Sequence, residues 1–169
     1  IPAAGDLVDL TGNIGQYAHG NEPSHHIAYL YNYIGQQWKA AEKVRYIMDE
    51  FYHDRPDGII GNEDCGQMSA WYIFSSFGFY PVFPASGQYV IGSPKFDVAS
   101  IKLPLGKSFT VTAVNNSPKN IYVQNVELNG KPYHQTFITH KDIVKGGTMK
   151  FVMGSKPNYR YGADIVQRP

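Results

Sequence analysis

A single cysteine, Cys65, stands among the 169 residues, which excludes an internal disulfide and leaves the fold to its apolar core. Charge is sparse as well. Acidic and basic residues make up 17% of the chain, are interspersed, and nearly cancel to a formal net charge of +1. Such a balance offers no electrostatic footprint for nucleic acid or for an anionic membrane surface. No apolar run approaches the roughly 20 residues that a membrane span requires, and the first residues lack the basic-then-apolar layout of a signal peptide. The chain is therefore expected either to be cytosolic or to have its targeting segment outside this sequence. Internal repeats and low-complexity linkers are missing too, so the parts of the chain are expected to share an interface. Aromatic residues, in contrast, are plentiful. They make up 14% of a chain that is 43% hydrophobic, with 13 tyrosines, enough to bury a core. Tyr and Trp also present flat apolar faces with a polar edge, which suits sugar rings as well as protein interiors.

The periodicity divides the chain in two. Residues 1–20 show isolated glycines and no sustained period, and read as a loop with a short strand or helical turn. Gly20-Asn21-Glu22-Pro23 then opens a helical segment, because Pro suits a first turn and Glu22 favours the positive end of the dipole. Ile27, Leu30, Tyr31 and Ile34 form its expected buried stripe, and Gly35 its stop. Next, Trp38, Ala41, Val44, Ile47, Met48 and Phe51 keep three-and-four spacing, while Lys39, Glu42, Lys43, Arg45 and Glu50 are expected to face water. A third helix follows Asp64, with Met68, Trp71, Tyr72 and Ser75 on one face and Ile73, Phe74 and Phe77 on the other. That pattern predicts burial nearly all round, with Gly78 closing the helix and Pro81 forbidding its continuation. Helices so joined pack antiparallel. They form either a small bundle or the last turns of a double-layered helical barrel whose other helices lie elsewhere.

Beyond Pro81 the pattern becomes short β-rich runs between turn signals. QYVI, FDVASIKL, SFTVTAV, NIYVQNVELN and TMKFVMG read as strands, KDIVKGG as one helical turn, and Asn129-Gly130 as a hairpin turn. The final NYRYGADIVQRP has no clear pattern. The fold class expected is α+β, with helices in residues 1–82 and an antiparallel β region in residues 83–169.

Two polar clusters stand where helices begin. One is His19, Asn21, Glu22, His25 and His26; the other is Asn62, Glu63 and Asp64. Glu63 and Asp64 are adjacent on a loop and point in different directions, so a catalytic partner for either must come from elsewhere. Carboxylate and amide oxygens of this kind suit a hard cation such as calcium better than zinc. Simpler roles are open as well. Asp64 is placed to cap the helix that follows it, Glu22 to serve the dipole, and the two adjacent histidines to be structural, since at most one of them faces any one site. Acidic neighbours raise a thiol's pKa, which argues against Cys65 as a nucleophile. Trp38 and Trp71, at helical spacing, read as core.

HGNEPSHHIAYLYNYIGQQWKA followed by GIIGNEDCGQMSAWYIFSSFGFYPVFPASGQYVIGSPKF resembles the C-terminal part of glycoside hydrolase family 92, the calcium-dependent exo-acting α-mannosidases. The resemblance runs from about His19 to the strand after Lys150. It implies that residues 1–82 supply the last helices of a catalytic (α/α)6 barrel and that residues 83–169 form a C-terminal β region. In the family's Gly-[Asp/Asn]-Glu-Asp-x-Gly motif the second acid is the general base, which falls on Asp64, with Glu63 beside it as the next candidate. The first position of the motif, often Asp, is Asn62 here. The His-Gly-Asn-Glu-Pro motif implies Asn21, Glu22, His19 and His26 as sugar-binding residues, and calcium ligation by Glu22, Asn21 and Asn62. The family's general acid is expected on an upstream segment that residues 1–19 do not match.

The resemblance therefore implies part of a secreted or periplasmic enzyme, its signal peptide outside this sequence, that removes terminal mannose from mannose-containing glycans with inversion. The first expectation for linkage is α-1,2. An inverting glycosidase needs two carboxyl groups, so the chain by itself is expected to be inactive without the missing N-terminal part of the same enzyme. From another class, a non-catalytic carbohydrate-binding or structural module built on the β half remains the alternative.

Overall fold

The structure, a computed structural model, describes residues 11–169. It opens with a small hairpin, β1 (Asn13–Ile14) on β2 (Tyr17–Ala18), which lies within the stretch expected to be a loop with a short strand. A 3-10 turn follows at Glu22–Ser24, with Pro23 in its first turn, and then a 3-10 helix at Ile27–Ile34 closed by Gly35 in the left-handed region. Here the expected buried stripe is corrected. Ile27 and Leu30 are each 41% exposed, Tyr33 38% and Ile34 59%, whereas Ala28, Tyr29 and Asn32 are buried. The reason is helical pitch. At three residues per turn, positions 27, 30 and 33 line up on one edge and 29 and 32 on another, so a stripe reckoned at 3.6 residues per turn lands on the wrong side.

Helix α1 (Gln37–Phe51) packs back on this 3-10 helix, and its face of Ala40, Ala41, Val44, Ile47 and Met48 is buried as the spacing predicts. One residue departs from the expected solvent face: Arg45 is only 3% exposed. Helix α2 (Gln67–Phe77) buries Met68, Trp71, Ser75 and Ser76. It is not covered all round, because Ile73 is 55% exposed. Gly78 ends the helix at φ +92°, where a side chain would be strained and its Cβ would stand 3.1 Å from Pro94. Tyr29, Val44, Ile47, Met48 and Trp71 form one buried cluster, into which Val90 of the β part also packs. The Tyr29 hydroxyl donates to Ser75 Oγ at 2.8 Å, joining the 3-10 helix to α2 inside that cluster.

The strands form two further sheets. The smaller has the order β3 (Phe79–Tyr80), β4 (Gln88–Ile91), β9 (Phe137–Thr139), all antiparallel. The larger has β5 (Val98–Lys102), β6 (Ser108–Val114), β10 (Gly147–Gly154), β7 (Tyr122–Leu128) and β8 (Lys131–Pro132), in that order. Alternate residues of β6 and β10, namely Phe109, Val111, Ala113, Met149, Phe151 and Met153, point into a second buried cluster with Val123, Val126 and Ile138. The expected antiparallel region is corrected at one place, since β10 pairs parallel to β6 in the register Val111↔Met149. Between those strands the chain makes the β7–β8 hairpin, visits the smaller sheet as β9, and returns through α3 (His140–Val144), so it enters β10 from the end at which β6 begins. The hairpin turn is as expected, with Asn129 at φ 52° and Gly130 at φ 75°, both in the left-handed region that a two-residue primed turn requires. The final segment packs down: Tyr159 sits edge-on to Trp38, and Tyr161 is buried with its hydroxyl donating to the Gln135 carbonyl at 2.8 Å.

Candidate active site

The two polar clusters meet through glycines. Gly61, at φ +65°, lies against Gly20, and a Cβ on Gly61 would stand 2.9 Å from the Gly20 carbonyl oxygen and 3.1 Å from its Cα. No other residue type lets the two backbones approach so closely. The loop Asn21–Glu22 and the loop Asn62–Asp64 thus lie side by side although some 40 residues separate them. The charges of Glu22 and Asp64 both bear on the ring of His25.

Where each expected residue stands is as follows. Glu22, Asn62, Glu63 and His26 are exposed; Asn21 and Asp64 are half-buried; His19 is buried. Glu63 turns back onto α2: its carboxylate accepts the backbone N–H of Gly66 and, at 3.1 Å, that of Ser69. The Ser69 side chain first, then the Ser69 N–H and more weakly that of Gly66, hold its proton affinity below the usual carboxylate range. Glu63 thus caps the start of α2, and a carboxylate so held is a weak proton acceptor. Asp64, Cys65 and Gly66 follow one another at φ 52°, 56° and 99°, a left-handed run immediately before the helix. A non-glycine residue held there costs on the order of 1–2 kcal/mol, so neighbouring contacts must fix it.

Beneath the loops lies an aromatic floor. His19 Nδ1 is 2.6 Å from the Tyr17 hydroxyl and Nε2 is 2.7 Å from that of Tyr52. The Tyr52 hydroxyl donates its one proton to the Met68 carbonyl at 3.1 Å, so it accepts from His19 Nε2–H, and Nδ1 accepts from Tyr17. Trp71 meets the His19 ring edge-on with centroids 4.4 Å apart. Both ring nitrogens are therefore engaged, and His19 offers a sugar no free atom.

Burial and the neighbouring His25 lower the His19 pKa to about 3. The native state thus keeps this ring neutral while the unfolded chain takes up a proton below the ordinary histidine value of 6.5. Stability is fully present above that value and is lost as pH falls toward the native pKa, by up to about 1.4 kcal/mol per pH unit per such histidine. The urea midpoint is expected to fall between pH 6.5 and pH 5, before carboxylates titrate. A flat midpoint across that window would contradict a neutral buried His19.

An open cleft of about 700 Å³ runs along His53, Asp54, Arg55, Ile59, Gly61 and Glu63, and Asn21, Glu22 and Asp64 are not among the residues that line it. As metal donors, Asn21, Glu22 and Asn62 supply one carboxylate and two amide oxygens. Among the described residues no three of His, Cys, Asp and Glu gather to hold a metal ion. The donor set thus disfavours zinc and fits a hard cation, for which it provides about half of the usual six to eight oxygens.

A profile of the glycosyl hydrolase family 92 catalytic domain matches residues 3–155. The chain belongs to that family. Among solved structures it is similar to a family GH92 alpha-mannosidase of Bacteroides thetaiotaomicron determined in complex with mannoimidazole, with 48% identity and a TM-score of 0.92 over 95% of this chain and 21% of that one. A GH92 inverting mannosidase of the same bacterium shares 44% identity with a TM-score of 0.86, over 92% of this chain and 21% of its own. A protein of Arthroderma benhamiae described as an uncharacterized secreted glycosidase is 36% identical over 140 residues, 81% of this chain and 18% of that protein. The chain thus spans about a fifth of the length of these relatives. Membership of the GH92 family is what the two long motifs implied. They did not reveal His25, Gln67, Tyr17 and Tyr52, the groups under the loops. His25 stood in the polar cluster with a structural role open to it, and its adjacency to the HGNEP motif was the one signal for it.

Proposed function

We propose that this chain is the part of an inverting exo-α-mannosidase that carries the general base. The observation that supports this reading most is the contact of the two motif loops at Gly20 and Gly61, with the charges of Glu22 and Asp64 both bearing on His25. Asp64 is the base that removes a proton from the attacking water. Asn21 and Glu22 bind the terminal mannose, with His26 on the exposed rim and His19 in the floor. Glu63 holds the turn from which Asp64 projects. Asn21, Glu22 and Asn62 would hold calcium, which when bound engages sugar hydroxyls and favours ring distortion toward the transition state. The general acid belongs to the preceding barrel segment, so the isolated chain has no turnover. The substrate is a terminal mannose of a glycan, α-1,2-linked as the first expectation. The family relative described as secreted supports an extracellular or periplasmic setting, and among the described residues no helix is long and apolar enough to cross a membrane.

The stereochemistry tests this reading. With the full-length protein and an α-mannoside, proton NMR is expected to show β-mannose as the first product, mutarotating to the equilibrium mixture. A calcium chelator is expected to stop the reaction, and Glu22→Gln to raise the calcium concentration needed to restore it by about tenfold or more, the effect of losing one charged ligand group. Early accumulation of α-mannose would overturn inversion, and turnover unaffected by chelation would overturn the metal.

A further inference from the structure

We infer that His25 is a positioning residue that locks the two motif loops together and so aims the Asp64 carboxylate. The inference rests on the reading of Asp64 as the base. His25 is 1% exposed and follows the Glu22–Ser24 turn directly. Its Nε2 lies 3.0 Å from the His19 carbonyl oxygen. A carbonyl has no proton to give, so Nε2 carries one. Burial lowers the ring's proton affinity against the opposing pull of the His19 carbonyl, Glu22 and Asp64, which leaves Nδ1 bare. Nδ1 then accepts from the Gln67 side-chain amide at 3.2 Å. The backbone carbonyl of His25 in turn accepts the Trp71 indole N–H at 3.0 Å.

These bonds form a continuous path. It runs from His19, in the first motif, through the His25 ring to Gln67, the first residue of α2, whose backbone N–H donates to the Asp64 carbonyl at 3.2 Å. Asp64 sits in the left-handed run that neighbouring contacts must hold in place. Glu63 fixes that run on its solvent side and the His25–Gln67 bond fixes it from within. A misplacement of about 1 Å at a reacting group costs on the order of 10²-fold in rate, and the Gln67 end of the path holds the Asp64 loop rather than the Asn21–Glu22 loop.

The test is a set of variants in the full-length protein, with melting temperature recorded for each. Gln67→Leu, at a half-buried position, breaks the path without touching the floor, and His25→Phe keeps the ring shape but removes both bonds. Both are expected to lower kcat about 10- to 100-fold, and Gln67→Leu, which leaves the His25–His19 bond in place, with KM within about threefold, a loss confined to the transition state. In His25→Asn the side-chain oxygen occupies the place of Nδ1, and kcat is expected to recover by about tenfold over His25→Phe. In an Asp64→Asn background neither Gln67→Leu nor His25→Phe is expected to lower kcat further, because a group that acts through Asp64 has nothing left to aim. If Gln67→Leu raises KM at constant kcat, or costs the same factor in the Asp64→Asn background, the proposal falls while the base assignment stands. An Asp64→Asn enzyme as fast as wild type would instead remove the base assignment and this proposal with it.

Discussion

Asp64→Asn in the full-length protein is expected to lower turnover by a factor on the order of 10² to 10⁴, the usual worth of a general base, while the melting temperature barely changes. The geometry makes this substitution unusually clean. Asp64 lies at φ 52°, and Asn is among the few residues that tolerate this region, so the left-handed run survives. Shape and volume are nearly unchanged, while the proton acceptor and its negative charge are lost. Mannose affinity is expected to persist through Asn21 and Glu22. Glu63→Gln serves as the contrasting variant: it weakens the anion that holds the Gly66 and Ser69 N–H groups, so it should lower the melting temperature and cost the rate far less than Asp64→Asn does. The reverse pattern, a fast Asp64→Asn and a slow, stable Glu63→Gln, would move the base to Glu63. Both variants need rate, substrate affinity and melting temperature measured together.

The second large effect is expected far from the site, at Arg45. This side chain lies in the seam between α1 and the β part, where Nη1 donates to the Pro94 carbonyl at 2.5 Å and to Asn116 Oδ1 at 2.8 Å, and Nη2 to the Ser117 carbonyl at 3.3 Å. Two forces compete when it is replaced by Met. Removing a buried cation relieves a desolvation cost, which the unpaired Nε increases. Against this, two backbone carbonyls and an amide oxygen lose their donors, at about 1–3 kcal/mol for each one left dry. The backbone carbonyls cannot be substituted away, so the loss wins. Arg45→Met is expected to destabilise the chain by about 2–4 kcal/mol, read from denaturant midpoints. Arg45→Lys, with one ammonium in place of the fork, should fall between. The Lys95–Asp49 ion pair and the Tyr122–Glu42 hydrogen bond join the same two parts nearer the surface, and stability unchanged in Arg45→Met would show that they hold the seam without it.

Much of the fold was legible in the order of residues because it depends on local spacing. Three-and-four spacing marked α1, alternation marked the strands, Gly35 and Gly78 closed helices in the left-handed region, and Asn129-Gly130 made its hairpin. Two motifs, each carrying its own glycine, were enough to name the family and the loops that meet. What stayed hidden depended on partners distant in sequence. Arg45 reads as one more solvent-facing cation on an amphipathic helix until the carbonyls of Pro94 and Ser117, 49 and 72 residues away, close over it. The parallel pairing of β6 and β10 follows from the route of the chain through another sheet, which no run of residues records.

The sequence by itself determined the element types, the family, and the short list of oxygen-bearing side chains at one end of the helices, since each of these is written in windows of a few residues. Tertiary structure alone decided which of those groups is available for chemistry. A 3-10 pitch in place of an α pitch turned Ile27, Leu30 and Tyr33 outward, the donors of Gly66 and Ser69 engaged Glu63, and the tyrosines of the floor closed off both nitrogens of His19. His25, one of two adjacent histidines that local pattern cannot tell apart, became the link to Gln67 because a bond across 42 residues forms only when the chain has brought both ends together.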